Sequence, residues 1–223
     1  MRVFVLDAAS SDDTASIARA RGAQVETRPW AGFVNARRYA LGRVATPWTL
    51  MLDADEQLDA ALTGAILAAR PSTGSAEIAG YAVRRVTMLC GRPVHAAGWS
   101  NERLVRLFRT DRARVAANAV GADLHERWIV DGPIANLPGA ILHDSYPTVE
   151  SYRVKFDRYT SVEAAALTPS RRAYLRALLT MPLRFVWSLV RYGGWRDGWR
   201  GLFVAWESAR YRVVVRAKAL SRT

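Results

Sequence analysis

The chain has 223 residues, half of them apolar and 23% of them charged. This composition indicates one large globular domain, or one domain with an appendage, and excludes a disordered chain. The single cysteine, Cys90, excludes an internal disulfide framework. The sequence shows neither the basic and apolar segments of a signal peptide nor an uncharged apolar run of spanning length, so we expect the protein on the cytoplasmic side of a membrane.

Short apolar strands alternate with helices in the first third of the chain. In chain order the pattern predicts strand 3–6, helix 15–22, strand 23–27, helix 34–44, strand 48–52 and helix 59–70. This alternation is typical of an α/β fold with a mostly parallel sheet and right-handed crossovers. Ligands of such folds bind beyond the carboxyl ends of the strands, which is where Asp7 and Asp53 lie.

The pattern changes after Pro71. Residues 81–89, 102–109 and 126–132 form extended segments with no long helix between them. We therefore expect a smaller mixed or antiparallel part, which completes a body over residues 1–168.

The remaining residues, 169–223, carry most of the net charge of +12. Twelve Lys and Arg residues but only two acidic residues fall within 171–223, together with four of the eight tryptophans. Apolar residues recur there at helical spacing with arginines between them. Because an arginine at the centre of a bilayer is costly, the pattern favours helices that lie in the membrane interface over helices that span it. The alternative is that these helices pack on the body or form a dimer.

Three carboxylates, Asp53, Asp55 and Glu56, follow the third predicted strand. Like charges this close repel one another, so a fold keeps them on a solvated loop or around a bound cation. In extended backbone Asp53 and Asp55 would point the same way and Ala54 into the fold, an arrangement that suits Mg²⁺ or Mn²⁺. The alternative is an acidic helix start, in which Glu56 and Asp59 interact favourably with the helix dipole.

Several motifs follow one another along the chain. They are "DAASSDDT" at 7–14, "W-x-GF-x-x-x-R-x-x-A" at 30–40, "LDADE" at 52–56, "GW" and "RLFR" within 98–109, "LHE" at 124–126, "LHDSY" at 142–146 and "YGGWRDGWRG" at 192–201. Together they resemble the family-2 glycosyltransferases of the GT-A fold and, among them, the lipopolysaccharide-core glucosyltransferase group. The resemblance covers nearly the whole chain, except that the first βα unit, which normally precedes the strand ending at Asp7, is missing.

The resemblance implies an inverting, metal-dependent enzyme that moves a sugar from a nucleoside-diphosphate sugar to a glycolipid or polysaccharide of the cell envelope. With the basic tail, it also implies a peripheral position on the anionic inner face of the membrane. Since the missing unit normally supplies part of the nucleotide pocket, a truncated, non-catalytic paralogue is one alternative. A metal-dependent nucleotidyltransferase or phosphohydrolase is another. Nucleic acid is not an expected partner, because the basic charge is confined to the tail.

The same resemblance assigns the donor and metal site to five residues. Asp53 and Asp55 would bind Mn²⁺ or Mg²⁺, and His143 would complete the metal shell. Asp7 would accept hydrogen bonds from the base or ribose of the donor, Arg37 would meet its diphosphate or base, and Asp53 would also take part in cofactor binding. The alternatives are an Asx-type turn for Asp7, an exposed charge for Arg37 and a core position for His143.

Inverting transfer needs a base that takes the proton of the acceptor hydroxyl. Glu126 is the first candidate, since the family places a carboxylate there, and Glu102 is the second. For both, a surface carboxylate paired with a neighbouring arginine is the alternative. Gly98 and Trp99 would shape the acceptor side, although Trp99 suits the core almost as well.

Overall fold

The computed structural model describes residues 2–69, 78–100, 102–117 and 126–222, without the side chains of Ala117 and Glu126. The strands in these ranges are β1 (Phe4–Asp7), β2 (Gln24–Thr27), β3 (Trp48–Leu50), β4 (Glu56–Leu58), β5 (Gly80–Leu89), β6 (Arg92–Pro93), β7 (Glu102–Arg109), β8 (Ala113–Ala117), β9 (Glu126–Val130) and β10 (Ile134–Tyr146). The helices are α1 (Thr14–Ala20), α2 (Phe33–Gly42), α3 (Ala60–Ala68), α4 (Val149–Ala165), α5 (Arg171–Arg191) and α6 (Trp199–Leu220).

These residues group into two compact units. The first unit takes the described residues of 1–51, 69–82 and 105–137, and the second takes those of 52–68, 83–104 and 138–223. Strands β5, β7 and β10 therefore belong in part to each unit.

The first unit contains the βαβ part of the chain. Strands β1 and β2 pair in parallel, with Asp7 opposite Thr27 at their carboxyl ends, and α1 connects them. Strand β3 runs antiparallel to β7, and β8 runs antiparallel to β9. The predicted α/β class is confirmed, although antiparallel pairing takes a larger share than the alternation of elements suggested.

The second unit is built around β10 and three long helices. Strand β10 pairs antiparallel with β4, and β5 pairs antiparallel with β6. One buried cluster joins the end of β5 to α6 and consists of Leu89, Val94, Ala96 and Val204. A second cluster joins α4 to α6 through Ala164, Val215 and Ala219. Since Val204 is fully buried, α6 is part of the core of this unit, and the predicted boundary after residue 168 does not coincide with a boundary between compact units.

The sequence pattern differs from the structure mainly around residues 51–58 and 134–146. The predicted strand 48–52 ends at Leu50, and Glu56 begins the short strand β4 instead of a helix. Asp59 lies just before α3, where its carboxylate accepts a hydrogen bond of 2.7 Å from the backbone N–H of Leu62. Strand β10 was not predicted, because Pro138 and Gly139 interrupt its apolar pattern, yet it runs for 13 residues.

None of the helices in the described part of the chain is long and apolar enough to cross a membrane. Helix α5 is the most exposed of the three long helices: of its 21 residues, only Ser188 is buried.

The close approach of α6 to the turn before it gives a test of this packing. A Cβ on Gly201 would lie 1.7 Å from the carbonyl oxygen of Gly194, whereas a Cβ on Gly64 of α3 would meet nothing within 4 Å. We expect Gly201→Ala to lower the free energy of unfolding by about 2–3 kcal/mol through overpacking. Gly64→Ala should raise it by about 0.5–1 kcal/mol, because alanine favours the helix. Urea unfolding of both variants measures this difference, and equal stability of the two would contradict the described packing.

Candidate functional site

The loop that carries the predicted metal ligands is fixed to strand β10 by backbone hydrogen bonds. The N–H of Asp144 donates to the carbonyl oxygen of Asp55 at 2.8 Å. One residue later, Glu56 lies opposite His143 in the β4–β10 ladder. This register places Asp55, at the end of the loop, next to the side chains of β10.

Asp55 and His143 lie side by side. The Nε2 atom of His143 is 3.2 Å from Oδ2 of Asp55, and its Nδ1 atom is 2.8 Å from the hydroxyl of Ser145. Ser145 shares a face of β10 with His143, because side chains alternate along a strand. Lys155 of α4 donates to the carbonyl oxygen of Ser145 at 2.9 Å. The imidazole is therefore held at both nitrogens, with Nε2 facing the carboxylate.

The environment keeps Asp55 ionised. The hydrogen bond with His143 lowers the pKa of the Asp55 carboxyl, and the charges of His143 and Lys155 lower it further, against the opposing effect of burial. The Asp55 side chain is 44% exposed and that of His143 is 18% exposed. An ionised oxygen and an imidazole nitrogen thus face each other at a point that solvent, or a ligand, can reach.

The donor atoms of this pair, a carboxylate oxygen and an imidazole nitrogen, can both bind a divalent cation. Within the described ranges no group of three or more His, Cys, Asp or Glu side chains is placed to hold a metal ion. Mg²⁺ and related ions, however, need only one or two protein ligands when phosphate oxygens of a substrate and water supply the rest. Asp55 and His143 meet that requirement, and Asp53 is not joined to them in a three-ligand cluster.

Asp53 and its neighbour Ala54 differ from the extended arrangement that the sequence suggested. Residues 54 and 55 form a turn, so Ala54 is exposed instead of pointing into the fold. The backbone N–H of Asp53 donates to a carboxylate oxygen of Glu56 at 3.0 Å, and the N–H of Glu56 donates back to the carbonyl oxygen of Asp53 at 3.1 Å. Glu56 therefore closes the loop that presents Asp53 and Asp55.

The buried carboxylate of Glu56 belongs to a charge network that the sequence analysis missed. Arg85 of β5 lies 3.8 Å from Glu56 and 2.5 Å from Glu102, the second candidate for the base. Glu102 is thus a paired carboxylate, as the alternative to the base suggested, and Arg85 is a partner that lies on another strand. The one sequence signal for this network is the pair of arginines, Arg84 and Arg85, between the apolar Val83 and Val86 of a half-buried strand.

Asp7, in the first unit, ends β1 and is buried. Its carboxylate accepts a hydrogen bond of 2.5 Å from the hydroxyl of Ser10 and one of 3.2 Å from the backbone N–H of Ser10. These bonds lower the pKa of Asp7, with smaller contributions from Thr27 and Ala9, against the effect of burial. The local turn that was the alternative to donor binding is therefore present, and it keeps the carboxylate ionised at a strand end.

Arg37 lies in α2, whose start explains the motif around it. Gly32 precedes the helix with a φ of +87°, a conformation that favours glycine. The turn brings Trp30 and Phe33 into edge-to-face contact at 4.7 Å, and the Arg37 guanidinium lies 5.7 Å from the Phe33 ring centre. The motif thus places the Arg37 guanidinium beside the aromatic pair of Trp30 and Phe33.

The first candidate base, Glu126, begins strand β9 and lies opposite Ala117 in the β8–β9 ladder. Its side chain, and the residues Leu124 and His125 before it, are outside what the structure describes. On the predicted acceptor side Trp99 packs against the buried cluster at the end of β5 and contacts the rings of Tyr146 and Tyr152 at 5.3 and 6.0 Å. Its core role is therefore evident.

The motif at 192–201 holds the loop that contains Gly98 and Trp99. The Asp197 carboxylate accepts hydrogen bonds of 2.7 and 2.9 Å from the backbone N–H groups of His95 and Ala96. Arg200 donates to the carbonyl oxygens of Leu89 and Cys90 at 3.0 and 3.1 Å. Asp197 and Arg200 of this motif therefore fix the backbone on the N-terminal side of Gly98 and Trp99.

Comparison with known proteins agrees with the resemblance seen in the sequence. Residues 1–83 match the model of the family described as glycosyl transferase family 2. The chain is 27% identical to the lipopolysaccharide core biosynthesis glycosyltransferase LpsC of Rhizobium meliloti, over 99% of this chain and 83% of LpsC. It is 27% identical to an uncharacterized glycosyltransferase of Rickettsia typhi, and 29% identical to one of Rickettsia prowazekii. These alignments cover 77% and 74% of this chain, and the chain spans 61% and 58% of the two rickettsial proteins.

The hydrogen bonds of Asp7 predict a pH-dependent effect of Ser10. Because the pKa of Asp7 is lowered in the folded protein, its stabilising contribution is present at neutral pH and is lost as the pH falls through that lowered pKa. Ser10→Ala should raise the pKa of Asp7 and lower the melting temperature at pH 7, with a smaller effect once the pH is below that lowered pKa. Carboxyl NMR titration and thermal unfolding measure both quantities. Ser16→Ala is the control, since Ser16 bonds only a backbone carbonyl, and an unchanged Asp7 pKa in Ser10→Ala would contradict the assignment.

Proposed function

We propose that the chain is a glycosyltransferase of family 2, supported by the family match over residues 1–83 and the similarity to LpsC, and that it catalyses inverting transfer of a sugar from a nucleoside-diphosphate sugar to a glycolipid or polysaccharide acceptor. The resemblance to LpsC supports an acceptor of the lipopolysaccharide-core type. The observation that carries the proposal is the pair of Asp55 and His143, which lie 3.2 Å apart at the end of an acidic loop.

In the proposed mechanism Asp55 and His143 would hold Mn²⁺ or Mg²⁺. When bound, the cation supplies positive charge against the diphosphate that leaves the sugar. Ser145 holds Nδ1 of His143, so that Nε2 keeps facing the carboxylate of Asp55. Lys155 fixes the backbone of Ser145 from α4. This outer set of contacts keeps both ligands in place before the donor arrives.

The donor nucleotide is the proposed partner of residues in the first unit. Asp7, kept ionised by Ser10, would accept hydrogen bonds from the base or ribose. Arg37 would meet the diphosphate or the base, since a guanidinium donates to phosphate oxygens in pairs. The carboxylate of Asp53, in the loop closed by Glu56, would add to the contacts of the donor and its cation.

Glu126 is the proposed base that takes the proton of the acceptor hydroxyl. Glu102 ranks second because it is engaged by Arg85 at 2.5 Å, and accepting a proton would break that ion pair. Removing one partner of such a pair leaves the other charge to be resolvated. Glu102 instead helps to hold the network that includes the buried Glu56.

The membrane surface is the proposed location of the enzyme. Helix α5 has 21 residues with five arginines and no acidic residue, and large apolar side chains along it are exposed. An amphipathic helix of this composition binds anionic interfaces. A lipid-linked acceptor would be presented there.

Metal-dependent donor binding tests the proposed site. Calorimetry with a nucleoside-diphosphate sugar should show binding with Mn²⁺ or Mg²⁺ that falls, in Asp55→Ala, to the level seen without metal. Ser145→Ala should weaken metal affinity by about tenfold, since it removes an outer contact only. Asp144→Ala is the matched control, because Asp144 is an exposed carboxylate of the same strand. Full metal-dependent binding in Asp55→Ala would refute the site.

The base assignment needs a separate experiment. Glu126→Gln should keep donor binding while transfer falls by about 10²–10⁴-fold, the usual contribution of a general base. Glu102→Gln, the comparison variant, should lose less transfer and should lower stability through loss of its ion pair with Arg85. Transfer and donor hydrolysis are measured together for both variants. If Glu102→Gln loses more transfer than Glu126→Gln at equal donor affinity, the roles are reversed.

A further inference from the structure

A basic groove lies between the helices of the second unit, apart from the residues proposed for sugar transfer. It has a volume of about 680 Å³ and is lined by residues of α4, α5 and α6. The charged residues that line it are Arg176, Arg184, Arg212, Arg216 and Glu163. A volume of this size is typical of small-ligand sites.

The arginines come from two facing helices at regular spacing. Arg176, Thr180 and Arg184 follow one another at four-residue steps along α5, and Arg212 and Arg216 do so along α6. Residues four apart share one face of a helix. The two helices pack together, so each presents a basic row to the same groove.

Among the described residues that line the groove, Glu163 is the one acidic side chain against four arginines. Among the described residues none of the four arginines takes part in an ion pair, whereas Arg43, Arg85, Arg114 and Arg210 elsewhere each pair with a carboxylate. The hydrogen bond of Arg184 is to the hydroxyl of Thr180 at 3.3 Å. Glu163, the acid of the groove, is engaged with the hydroxyl of Tyr211, whose pKa is raised by burial and by Glu163. Like charges at this spacing repel one another, so the groove is set up for an anion.

The surface next to the groove is apolar and exposed. On α5 the side chains of Leu175, Leu179, Leu183, Val186 and Val190 form a second row, and Leu179 and Leu183 are 80% and 72% exposed. This apolar row is displaced from the basic row by one residue step, or about 100° around the helix. Trp187, in the same region of α5, is also exposed. A ligand of the combined surface must therefore carry both an anionic group and apolar chains.

We propose that the groove binds the phosphate group of an anionic lipid in a bilayer while the apolar row of α5 inserts among the acyl chains. Guanidinium groups bind phosphate oxygens in pairs and are the preferred cations for this purpose. The net charge of the lining side chains, four arginines against one glutamate, is complementary to a phosphate headgroup. The inference rests on the proposed location at the membrane but not on the metal site or on any step of the transfer.

The experiment compares two kinds of anionic vesicle at matched surface charge, without metal or donor. Phosphatidylcholine vesicles contain either phosphatidic acid, which presents a phosphate, or oleate, which presents a carboxylate. We expect the wild type to prefer the phosphatidic acid vesicles in co-sedimentation, with a shift of tryptophan fluorescence to shorter wavelength. Arg176→Gln/Arg212→Gln, which removes one arginine from each helix, should lose this preference, at about fivefold in affinity per arginine.

The matched control removes the same charge from α5 outside the groove. Arg171→Gln/Arg191→Gln should weaken binding to both kinds of vesicle alike and keep the preference for phosphatidic acid. Leu179→Ser/Leu183→Ser should weaken binding to both, because it removes the inserted apolar side chains. Asp55→Ala should bind vesicles like the wild type, so failure of the proposed metal site and failure of the groove are distinguishable.

Two results would overturn the inference. One is an equal loss of preference in the groove variant and in the α5 control, which would mean that diffuse charge alone attracts the helix. The other is displacement from phosphatidic acid vesicles by inorganic phosphate at the concentration of the lipid phosphate. That result would assign the groove to free phosphate. Circular dichroism of each variant confirms that it is folded before the vesicle measurements are compared.

Discussion

The pairing of β4 with β10 is the constraint on which the candidate site depends. With Glu56 opposite His143, the carboxylate of Asp55 comes within 3.2 Å of the imidazole and Ser145 reaches its other nitrogen. Because side chains alternate along a strand, a slip of one residue would turn His143 to the opposite face and separate the pair. The chemistry proposed for Asp55 therefore rests on a backbone register.

Helix α3 and a glycine of β10 hold that register. The N–H of Asp59 donates to the carbonyl oxygen of Ala140 at 3.0 Å, and the Asp59 carboxylate accepts from Leu62 at the start of α3. Gly139 has a φ of +85°, and a Cβ there would lie 2.2 Å from the backbone nitrogen of Leu62. Only glycine suits this conformation and this approach. The start of helix α3 therefore fixes β10 at Ala140, three residues before His143.

Local patterns in the sequence predicted the strands and helices that form for local reasons, such as a run of apolar residues. Strand β7 was predicted at its observed bounds, and the strand that ends at Asp7 was predicted from its apolar run. Strands β4 and β10 were not, because their pairing is a long-range contact and Pro138 and Gly139 hide the pattern of β10. His143 was proposed from the family resemblance alone, and no spacing of residues placed it beside Asp55. The excess charge of α5 and α6 was visible in the sequence, but the meeting of their arginines in one groove depends on the packing of the two helices.

Metal binding by Asp55 and His143 is the central claim, and paramagnetic broadening by Mn²⁺ tests it most directly. The chain has three histidines, so the imidazole resonances can be assigned by substitution of each. In the presence of a nucleoside diphosphate, Mn²⁺ should broaden the His143 resonances first, and Asp55→Ala should remove this selectivity. Broadening of His95 or His125 before His143, or an unchanged order in Asp55→Ala, would contradict the account.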